Sequence, residues 1–386
     1  MRELGVLTEA AVVCRGGTIA WVGPMSELAL KDDLPEYDAR GMVVLPGFVD
    51  SHTHMMFAGD RSEEFALRSS GATYQEIAAG GGGILNTVRH LRQASKKELK
   101  KSTSRSLAEM LRHGTTTVEI KSGYGLETRS ELRMLEAIAE LSREEVATVV
   151  GTFIGAHAVP PEFAGRQREY VELVVEEMLP LVAERKLASF CDVFCDQGYF
   201  TVEESRKILL EAKHLALGVK LHAEELAPGK GAQLAVELGA VSCDHLEQVD
   251  EPGIGALAGS GVVATLLPGV SFFLNHGYAP ARSLIDRGVA VAIASDFNPG
   301  SCMAFSMPLM MTIACTQMRM TPEEAITAST INGAAALGCS ATRGSIEPGK
   351  AADMIVCDIP HYRHLAYHFG TNHVVRTIKH GTLLEY

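Results

Sequence analysis

The sequence predicts a (β/α)8 barrel of the TIM type, joined to a small β-sandwich domain formed from both termini. Short apolar runs alternate with amphipathic stretches through the middle of the chain, which is the pattern of a parallel sheet covered by helices. Both ends instead contain alternating runs broken by glycine-containing turns, which is typical of antiparallel hairpins. The 386 residues are 46% hydrophobic, enough for the core of such a barrel.

Eight apolar runs predict the barrel strands, and the amphipathic stretches between them predict helices. The predicted strands are residues 43–49, 116–120, 146–154, 190–194, 219–222, 240–244, 262–266 and 289–294. The predicted helices include residues 99–111, 128–141, 168–184, 201–216, 231–238, 280–287 and 321–333. Two of these helices begin with a capping signal, Thr201 with Glu204 and Thr321 with Glu324.

The two ends of the chain predict the small domain. Residues 11–22 form a hairpin pattern around Gly16-Gly17, and residues 374–384 form another around His380-Gly381. An apolar run over 353–358 adds a further strand. We therefore predict two units: a composite β-sandwich of residues 1–45 plus 345–386, and a barrel of residues 46–344.

Composition limits the classes of partner. A formal net charge of -12 argues against binding to nucleic acid or to an anionic membrane surface, so we expect a small-molecule substrate. No apolar run is long enough to span a bilayer, and no signal peptide is visible at the N-terminus. The eight cysteines are scattered and form no C-x-x-C motif. Free thiols in a reducing cytoplasm are therefore expected.

Residues capable of chemistry follow four of the predicted strands. They are His52 and His54, His222 with Glu225, Asp244 with His245, and Asp296. In a (β/α)8 barrel the carboxyl ends of all strands meet on one face, where active sites lie. Taken singly, each has a plain structural alternative: a histidine that satisfies local hydrogen bonds, or an aspartate that caps a helix. Four such strand ends together favour one shared site.

The residue types suit a metal-dependent hydrolase. Three neutral imidazoles and one carboxylate are ligands that fit Zn²⁺ or Fe²⁺, and a bound divalent ion acidifies water. His52 and His54, two positions apart on a strand, share one face and can reach one ion. Glu225 could then move a proton from water to a leaving nitrogen, while His245 could hold the water or a developing oxyanion.

Specific motifs make the chain similar to one known family. They are PGFVDSHTHMMFAGDR (46–61), GGGILNTV (81–88), GTTTVEIKSGYGL (114–126), GAHAVPPE (155–162), KLHAEE (220–225), CDHLE (243–247), LLPG (266–269) and ASDFNPGS (294–301). With these motifs the chain resembles the imidazolonepropionases of the amidohydrolase superfamily. The resemblance runs from about residue 46 to the C-terminus.

The resemblance implies an activity and a set of site residues. The reaction would be hydrolysis of 4-imidazolone-5-propanoate to N-formimidoyl-L-glutamate, a step of histidine breakdown, with one Zn²⁺ or Fe²⁺/Fe³⁺ per subunit. The implied metal ligands are His52, His54, His222 and Asp296, and the catalytic groups are Glu225, His245 and Asp296. The implied substrate contacts are Arg61, Tyr124, His157, Glu225, Asn298, Gly300 and Ser301. Relatives form homodimers, so a homodimer is expected.

Several alternatives stay open at this stage. Arg61 could pair with Asp60 or Glu63 at the surface, and Tyr124 could pack its own loop. Lys121, at a strand end, could be carboxylated to bridge two metals, although a salt-bridged or substrate-facing lysine is favoured. A cyclic amidine deaminase acting on cytosine-like or guanine-like rings is the alternative enzyme. A non-catalytic protein that keeps the fold is the alternative outside enzymes.

Overall fold

Eight of the strands form one parallel sheet, in which each strand pairs with the next one along the chain. A computed structural model describes residues 1–29, 34–72, 76 and 80–385. Its strands are β1 (Ala10–Arg15), β2 (Thr18–Pro24), β3 (Val43–Pro46), β4 (Phe48–Asp50), β5 (Thr115–Lys121), β6 (Thr148–Ala156), β7 (Phe190–Cys195), β8 (Gly218–Ala223), β9 (Ser242–His245), β10 (Val263–Leu266), β11 (Val291–Ile293), β12 (Met354–Cys357), β13 (Val374–Lys379) and β14 (Thr382–Leu383). Strands β4 to β11 make up the parallel sheet.

The first and last strands of this sheet meet and close it into a barrel. Just beyond β4 and β11, the Asp296 amide donates to the His52 carbonyl over 3.0 Å. The His54 amide likewise donates to the Phe297 carbonyl over 3.1 Å. The carboxylate of Asp50 also accepts hydrogen bonds from the amide and the hydroxyl of Ser295. The predicted (β/α)8 barrel is therefore confirmed.

Helices cover the outside of the barrel between the strands. Those of at least six residues are Ser62–Ser69, Ile84–Gln93, Lys96–Arg112, Thr128–Glu144, Gln167–Leu173, Leu179–Glu184, Val202–His214, Gly231–Leu238, Glu251–Leu257, Pro268–Leu274, Ala281–Asp286, Met307–Gln317, Pro322–Ala328 and Ile331–Ala336. A four-residue helix, His364–Tyr367, and 3-10 turns at Met25–Glu27 and Pro161–Phe163 are also present. Both predicted capping boxes, at Thr201 and at Thr321, are formed.

Two predicted helices are interrupted. The stretch predicted over 168–184 contains a π turn at Val174–Met178, between two α-helical pieces. Pro180 lies just after this turn and has no amide hydrogen to continue the helical bonding, which accounts for the irregular turn. The stretch predicted over 321–333 is two helices, because Thr330 leaves the helical conformation with φ -127° and ψ -96°.

The strand predicted over 43–49 is wrong as a single element. Strand β3 belongs to an antiparallel sheet of order β14-β13-β12-β3, whereas β4 belongs to the barrel. The chain crosses between the two sheets at Gly47, whose amide donates to the Asp353 carbonyl. A Cβ atom at Gly47 would overlap the side chain of Thr116, so a residue without a side chain is needed at this crossing.

Both ends of the chain contribute to antiparallel structure, as predicted. The hairpin of β1 and β2 forms a two-stranded sheet, and a bridge between Thr18 and Ala351 connects it to the C-terminal part of the chain. Ile19 packs against Ala352 and Met354 in a small core of its own. The division into a composite unit of 1–45 plus 345–386 stays a prediction, and residues 30–33 lie outside the described residues.

The interior between the barrel and its helices is one large apolar core, and the carboxyl ends of the strands hold a polar site. No helix within the described residues is long and apolar enough to cross a membrane.

Candidate metal centre and active site

Four side chains from three parts of the barrel meet at one point. His52 and His54 follow β4, His222 lies near the end of β8, and Asp296 follows β11. The Nε2 atoms of His54 and His222 are 3.1 Å apart. Asp296 Oδ1 lies 3.6 Å from His52 Nε2 and 3.9 Å from His54 Nε2. The structure thus brings together the four residues predicted as metal ligands.

These four side chains fit a divalent cation. Burial lowers the pKa of His52 and of His54 well below the usual value, and lowers that of His222 to about 3, so all three rings are neutral. The Nε2 atom of His52 and the Oδ1 atom of Asp296 are buried, and neither has a hydrogen-bond partner among the described residues. A cation between them would satisfy both atoms.

Two further carboxylates lie behind the histidine rings. Asp244 Oδ2 is 2.7 Å from His52 Nδ1, and Asp192 Oδ2 is 3.0 Å from His222 Nδ1. A carboxylate at Nδ1 keeps the proton on that atom and leaves the lone pair of Nε2 directed at the centre. Asp244 therefore lies behind a predicted ligand, and Asp192 was missed by sequence reasoning. A charged residue inside the apolar strand β7 was the available signal.

Glu225 and His245 form a pair beside the four clustered side chains. His245 Nε2 is 3.4 Å from Glu225 Oε2, and His245 Nδ1 is 3.6 Å from Glu247 Oε2. Burial raises the pKa of Glu225 to about 7, although His245 opposes the shift. Burial disfavours a charged His245, but the carboxylates of Glu225 and Glu247 raise its pKa to about 10. The pair can therefore accept a proton and donate a hydrogen bond.

Asp196 supports the loop that carries Glu225. Its Oδ2 atom accepts hydrogen bonds from the amides of Glu225, over 2.7 Å, and Leu226, over 2.9 Å. These bonds fix the backbone at the residue whose carboxylate faces His245. Sequence reasoning missed this role, because nothing local links Asp196 to a loop about thirty positions away.

Arg61 packs against Gly300 at the edge of the site. A Cβ atom at Gly300 would overlap Arg61 Nη1 and would lie 2.9 Å from Arg61 Cζ. The Arg61 Nε atom donates to Glu64 Oε2 over 2.8 Å, so the guanidinium is held in place by the next helical turn. Its partner is thus Glu64 rather than Asp60 or Glu63, the two surface partners considered from the sequence.

The Asn298 side chain is used within its own loop. Its Oδ1 atom accepts from the amides of Gly300, over 2.7 Å, and Ser301, over 2.9 Å. Its Nδ2 atom donates to the Asp296 carbonyl and to Ser301 Oγ, both over 2.7 Å. Asn298 therefore shapes the backbone between the carboxylate of Asp296 and the glycine under Arg61.

Tyr124 and His157 line the site beside His54. The rings of His157 and His54 are stacked with centroids 4.6 Å apart, and His157 Nδ1 lies 3.0 Å from the Gly123 carbonyl. Burial lowers the pKa of His157 to about 4. Burial also raises the pKa of Tyr124 well above its usual value. Both rings are thus neutral and can only donate or accept hydrogen bonds.

A buried glutamate that sequence reasoning missed holds the loop of Tyr124. Glu131 Oε1 accepts from the amides of Gly125, over 2.7 Å, and Leu126, over 2.9 Å. Its Oε2 atom accepts from the Gly123 amide over 3.0 Å. Glu131 lies on the apolar face of helix Thr128–Glu144, and a lone acid at that helical position was the signal available in the sequence.

Apart from His52, the predicted site residues all line one cavity of about 780 Å³. Its lining joins the clustered histidines to Arg61, Tyr124, Glu225 and the loop 298–301. Arg68, Phe194, Tyr199 and Phe273 also line it and were missed, because no local pattern marks an aromatic or basic residue that faces a distant strand. The cavity is large enough for a small cyclic molecule with a charged side chain.

Comparisons with known proteins give a family and a fold. Residues 43–384 match the model of the amidohydrolase family. An imidazolonepropionase of Symbiobacterium thermophilum is 50% identical over 390 aligned positions, which cover 100% of this chain and 92% of that protein. An imidazolonepropionase of Porphyromonas gingivalis is 49% identical, covering 97% of this chain and 89% of that protein.

Solved structures with low sequence identity share the fold. A zinc-bound adenosine deaminase from Xanthomonas campestris has a TM-score of 0.72 at 20% identity, covering 98% of this chain and 89% of that one. A 5-methylcytosine deaminase from Klebsiella pneumoniae has a TM-score of 0.75 at 16% identity, covering 97% and 94%. At such identities the similarity shows the fold alone, and it does not indicate which substrate the chain binds.

Proposed function

The chain belongs to the amidohydrolase family, and to the imidazolonepropionases within it, and from this we propose that it hydrolyses 4-imidazolone-5-propanoate to N-formimidoyl-L-glutamate. One observation supports the substrate most directly: a single cavity contains both a cluster of neutral histidines and the guanidinium of Arg61. The histidine cluster suits hydrolysis of a ring amide, and the guanidinium suits a propionate carboxylate. The deaminase alternative is not favoured.

We propose that His52, His54, His222 and Asp296 hold one Zn²⁺ or Fe²⁺/Fe³⁺ per subunit. When bound, such an ion lowers the pKa of water and polarises a carbonyl group. The stacking of His157 on His54, and the carboxylates behind His52 and His222, fix the rings before any ion arrives. Elemental analysis of the purified protein should find about one equivalent of metal, and a value near zero would contradict this assignment.

Glu225, His245 and Asp296 are the proposed catalytic groups. Glu225 takes a proton from the water that adds to the ring carbonyl carbon, because its raised pKa makes it a base that can also return the proton. The bond between that carbon and the ring nitrogen then breaks, and Glu225 delivers the proton to the nitrogen. His245, a cation beside Glu225, donates a hydrogen bond to the oxygen on which negative charge develops.

The remaining lining residues are proposed to bind the substrate. Arg61 would take the propionate carboxylate, with the Gly300 backbone close beneath its guanidinium. Ser301, in the loop shaped by Asn298, would add a hydroxyl on the same side. Tyr124 and His157, which lie beside His54, would contact the ring as neutral hydrogen-bonding groups.

The direct test is turnover by the metal-loaded protein. Incubation with 4-imidazolone-5-propanoate should remove the ultraviolet absorbance of the ring and form N-formimidoyl-L-glutamate. The matched control is an imidazolone whose side chain ends in a neutral amide, which should react with a KM raised about 10-fold or more, since it cannot pair with a guanidinium. Absence of turnover with the metal fully loaded would reject the function, and ammonia release from free bases would favour a deaminase.

Two proposals concern the cellular state of the protein. We propose that it is a homodimer, which light scattering of the purified protein would test, with a monomer mass as the contradicting result. We also propose a cytoplasmic location, because all eight cysteines are free thiols and five of them are buried. Cell fractionation with an antibody against the chain would test this, and recovery outside the cytoplasm would contradict it.

A further inference from the structure

Lys121 ends strand β5 inside the barrel and is fully buried. It is neither one of the proposed metal ligands nor a residue that lines the cavity, so the mechanism above does not use it. A buried ammonium without partners would be strongly destabilising, so its surroundings must compensate the charge.

Three carboxylates surround the Lys121 ammonium. Its Nζ atom lies 2.7 Å from Asp192 Oδ2, 2.9 Å from Glu119 Oε2 and 3.7 Å from Asp244 Oδ2. A second buried lysine, Lys220, contacts the other oxygen of Glu119 over 2.8 Å. Two ammonium groups and three carboxylates thus form one buried network directly beneath the clustered histidines.

Two of the three oxygens that Lys121 contacts also contact histidine rings. Asp192 Oδ2 lies 3.0 Å from His222 Nδ1, and Asp244 Oδ2 lies 2.7 Å from His52 Nδ1. Lys220 Nζ also lies 3.8 Å from Asp244 Oδ2, but of the two ammonium groups only that of Lys121 contacts both Asp192 and Asp244, and each of these carboxylates faces a different ring of the centre. No local sequence pattern connects these residues, because they come from strands β5, β7, β8 and β9 and from the segment after β4.

The charges of Lys121 and Lys220 together allow these carboxylates to lie so close together, and Lys121 provides the charge next to Asp192. Burial alone would lower the pKa of Lys121, but the charges of Asp192, Glu119 and Asp244 raise it well above the usual value, so the group stays an ammonium. A carboxylated Lys121 would add another negative charge beside three carboxylates. The surroundings therefore do not support the bridging role considered from the sequence.

We propose that Lys121 is a positioning residue for the metal centre: its ammonium ties Asp192 to Asp244, so that His222 and His52 present their Nε2 atoms at one point. This rests on the proposed function only in placing a metal ion between those rings. Without Lys121, Lys220 still lies beside Asp244, but no ammonium links Asp244 to Asp192, so the two carboxylates separate and the two rings turn with them.

The test uses Co²⁺ as a probe, because its visible absorption responds to the geometry of its ligands. We compare the wild-type protein with Lys121→Met, which keeps the length of the side chain and removes its charge. Loss of orientation behind a ligand costs roughly 10–100-fold in metal affinity. Lys121→Met is therefore expected to bind Co²⁺ at least about 10-fold more weakly in chelator competition, with a changed absorption spectrum.

Lys379→Met is the matched control. Lys379 is also a buried lysine that pairs with a carboxylate, Asp353, but it lies in strand β13 of the antiparallel sheet. This variant should lose thermal stability while keeping wild-type Co²⁺ affinity and spectrum. A folded Lys121→Met protein with wild-type affinity and spectrum would overturn the proposal.

A second variant covers the case in which Lys121→Met does not fold. The double variant Lys121→Met, Glu119→Gln removes one charge of each sign. It still leaves Asp192 and Asp244 without a shared ammonium, so the same weak Co²⁺ binding is expected. If both variants fail to fold while Lys379→Met folds, Lys121 serves the stability of the barrel and the positioning role is rejected. Failure of the wild-type protein to bind Co²⁺ would instead reject the proposed metal centre. This result differs from the one that rejects the positioning role of Lys121, so the two proposals can be distinguished.

Discussion

Because Arg61 packs on Gly300, adding one methyl group at position 300 tests whether Arg61 binds the substrate. Gly300→Ala would place a Cβ where Arg61 Nη1 lies, and the guanidinium would have to move. Loss of one charge-assisted hydrogen bond to the substrate should raise KM about 10-fold, by the usual strength of such bonds. Steady-state kinetics with 4-imidazolone-5-propanoate would measure this.

Stability should hardly change in Gly300→Ala, since the displaced atoms are at the end of a flexible side chain. Gly255→Ala is the control, because a Cβ there meets nothing within 4 Å. An unchanged KM in Gly300→Ala would show that Arg61 does not bind the substrate carboxylate.

Substitution of Glu225 and of its neighbour Glu224 can distinguish a catalytic role from the effect of burying a carboxyl group. Burial raises the pKa of both carboxyl groups to about 7, but only Glu225 is among the described residues that line the cavity. Glu225→Gln should lower kcat by roughly 10²–10⁴-fold, the range of general acid–base catalysis, at wild-type metal content. Glu224→Gln should keep kcat within a few-fold. Equal losses in the two variants would exclude a special role for Glu225.

Individual site residues could be predicted where they follow an apolar run. His52, His222 and Asp296 stand at such positions, and the barrel rule places all of them on one face. The groups that orient them could not be predicted in the same way. Asp192 and Lys121 gain their roles from contacts across strands, and contacts of that kind leave no periodic signal in a single sequence.

At the scale of elements, the loop that carries Tyr124 depends on one glutamate. Glu131 accepts hydrogen bonds from three backbone amides, at Gly123, Gly125 and Leu126. Glu131→Ala would leave these buried donors without an acceptor, so the free energy of unfolding should fall by roughly 2–4 kcal/mol. Urea denaturation would measure the change.

The same helix provides a control for this substitution. Glu144 is at its exposed end and pairs with Lys100, and surface pairs of this kind are worth about 1 kcal/mol or less. Glu144→Ala should therefore change the free energy of unfolding by no more than that. If Glu131→Ala were as mild as Glu144→Ala, the loop would have to be held by its other contacts.

Element boundaries were predictable where propensity and packing agree, and not elsewhere. The helix Gly231–Leu238 has the bounds predicted from its pattern. The run over 43–49 has no internal signal strong enough to divide it, because Gly47 also reads as an ordinary residue of a strand. Its division between two sheets follows from the close approach of Thr116, which lies far along the chain.

At the scale of the whole molecule, Glu324 connects the N-terminus to the barrel wall in a pH-dependent way. It accepts hydrogen bonds from Arg282, from Arg2 and from the Thr321 amide. Burial would raise its pKa, but the bonds to Arg282, Thr321 and Arg2 lower it from 4.5 to about 2. The folded state therefore keeps this carboxylate ionised at pH values where the unfolded chain takes up a proton.

The sign of the pH effect follows from this lowered pKa. The stabilisation is complete above about pH 4.5 and is lost as the pH falls toward about 2. Glu324→Gln should lower the free energy of unfolding by about 2 kcal/mol at neutral pH, as for other charge-assisted bonds. The difference between the two proteins in urea denaturation should shrink between about pH 4.5 and 2. A difference that stays constant over that range would contradict this account.

The contacts between the first and last strands, which close the barrel, affect the order in which the protein matures during synthesis. Asp50 and Ser295, which form one of these contacts, are 245 positions apart. A nascent chain therefore carries His52 and His54 long before the ribosome has added the carboxylate of Asp296. An ion held by all three residues would connect the segments that follow the first and last strands of the barrel. We therefore expect metal binding to be among the last steps of maturation.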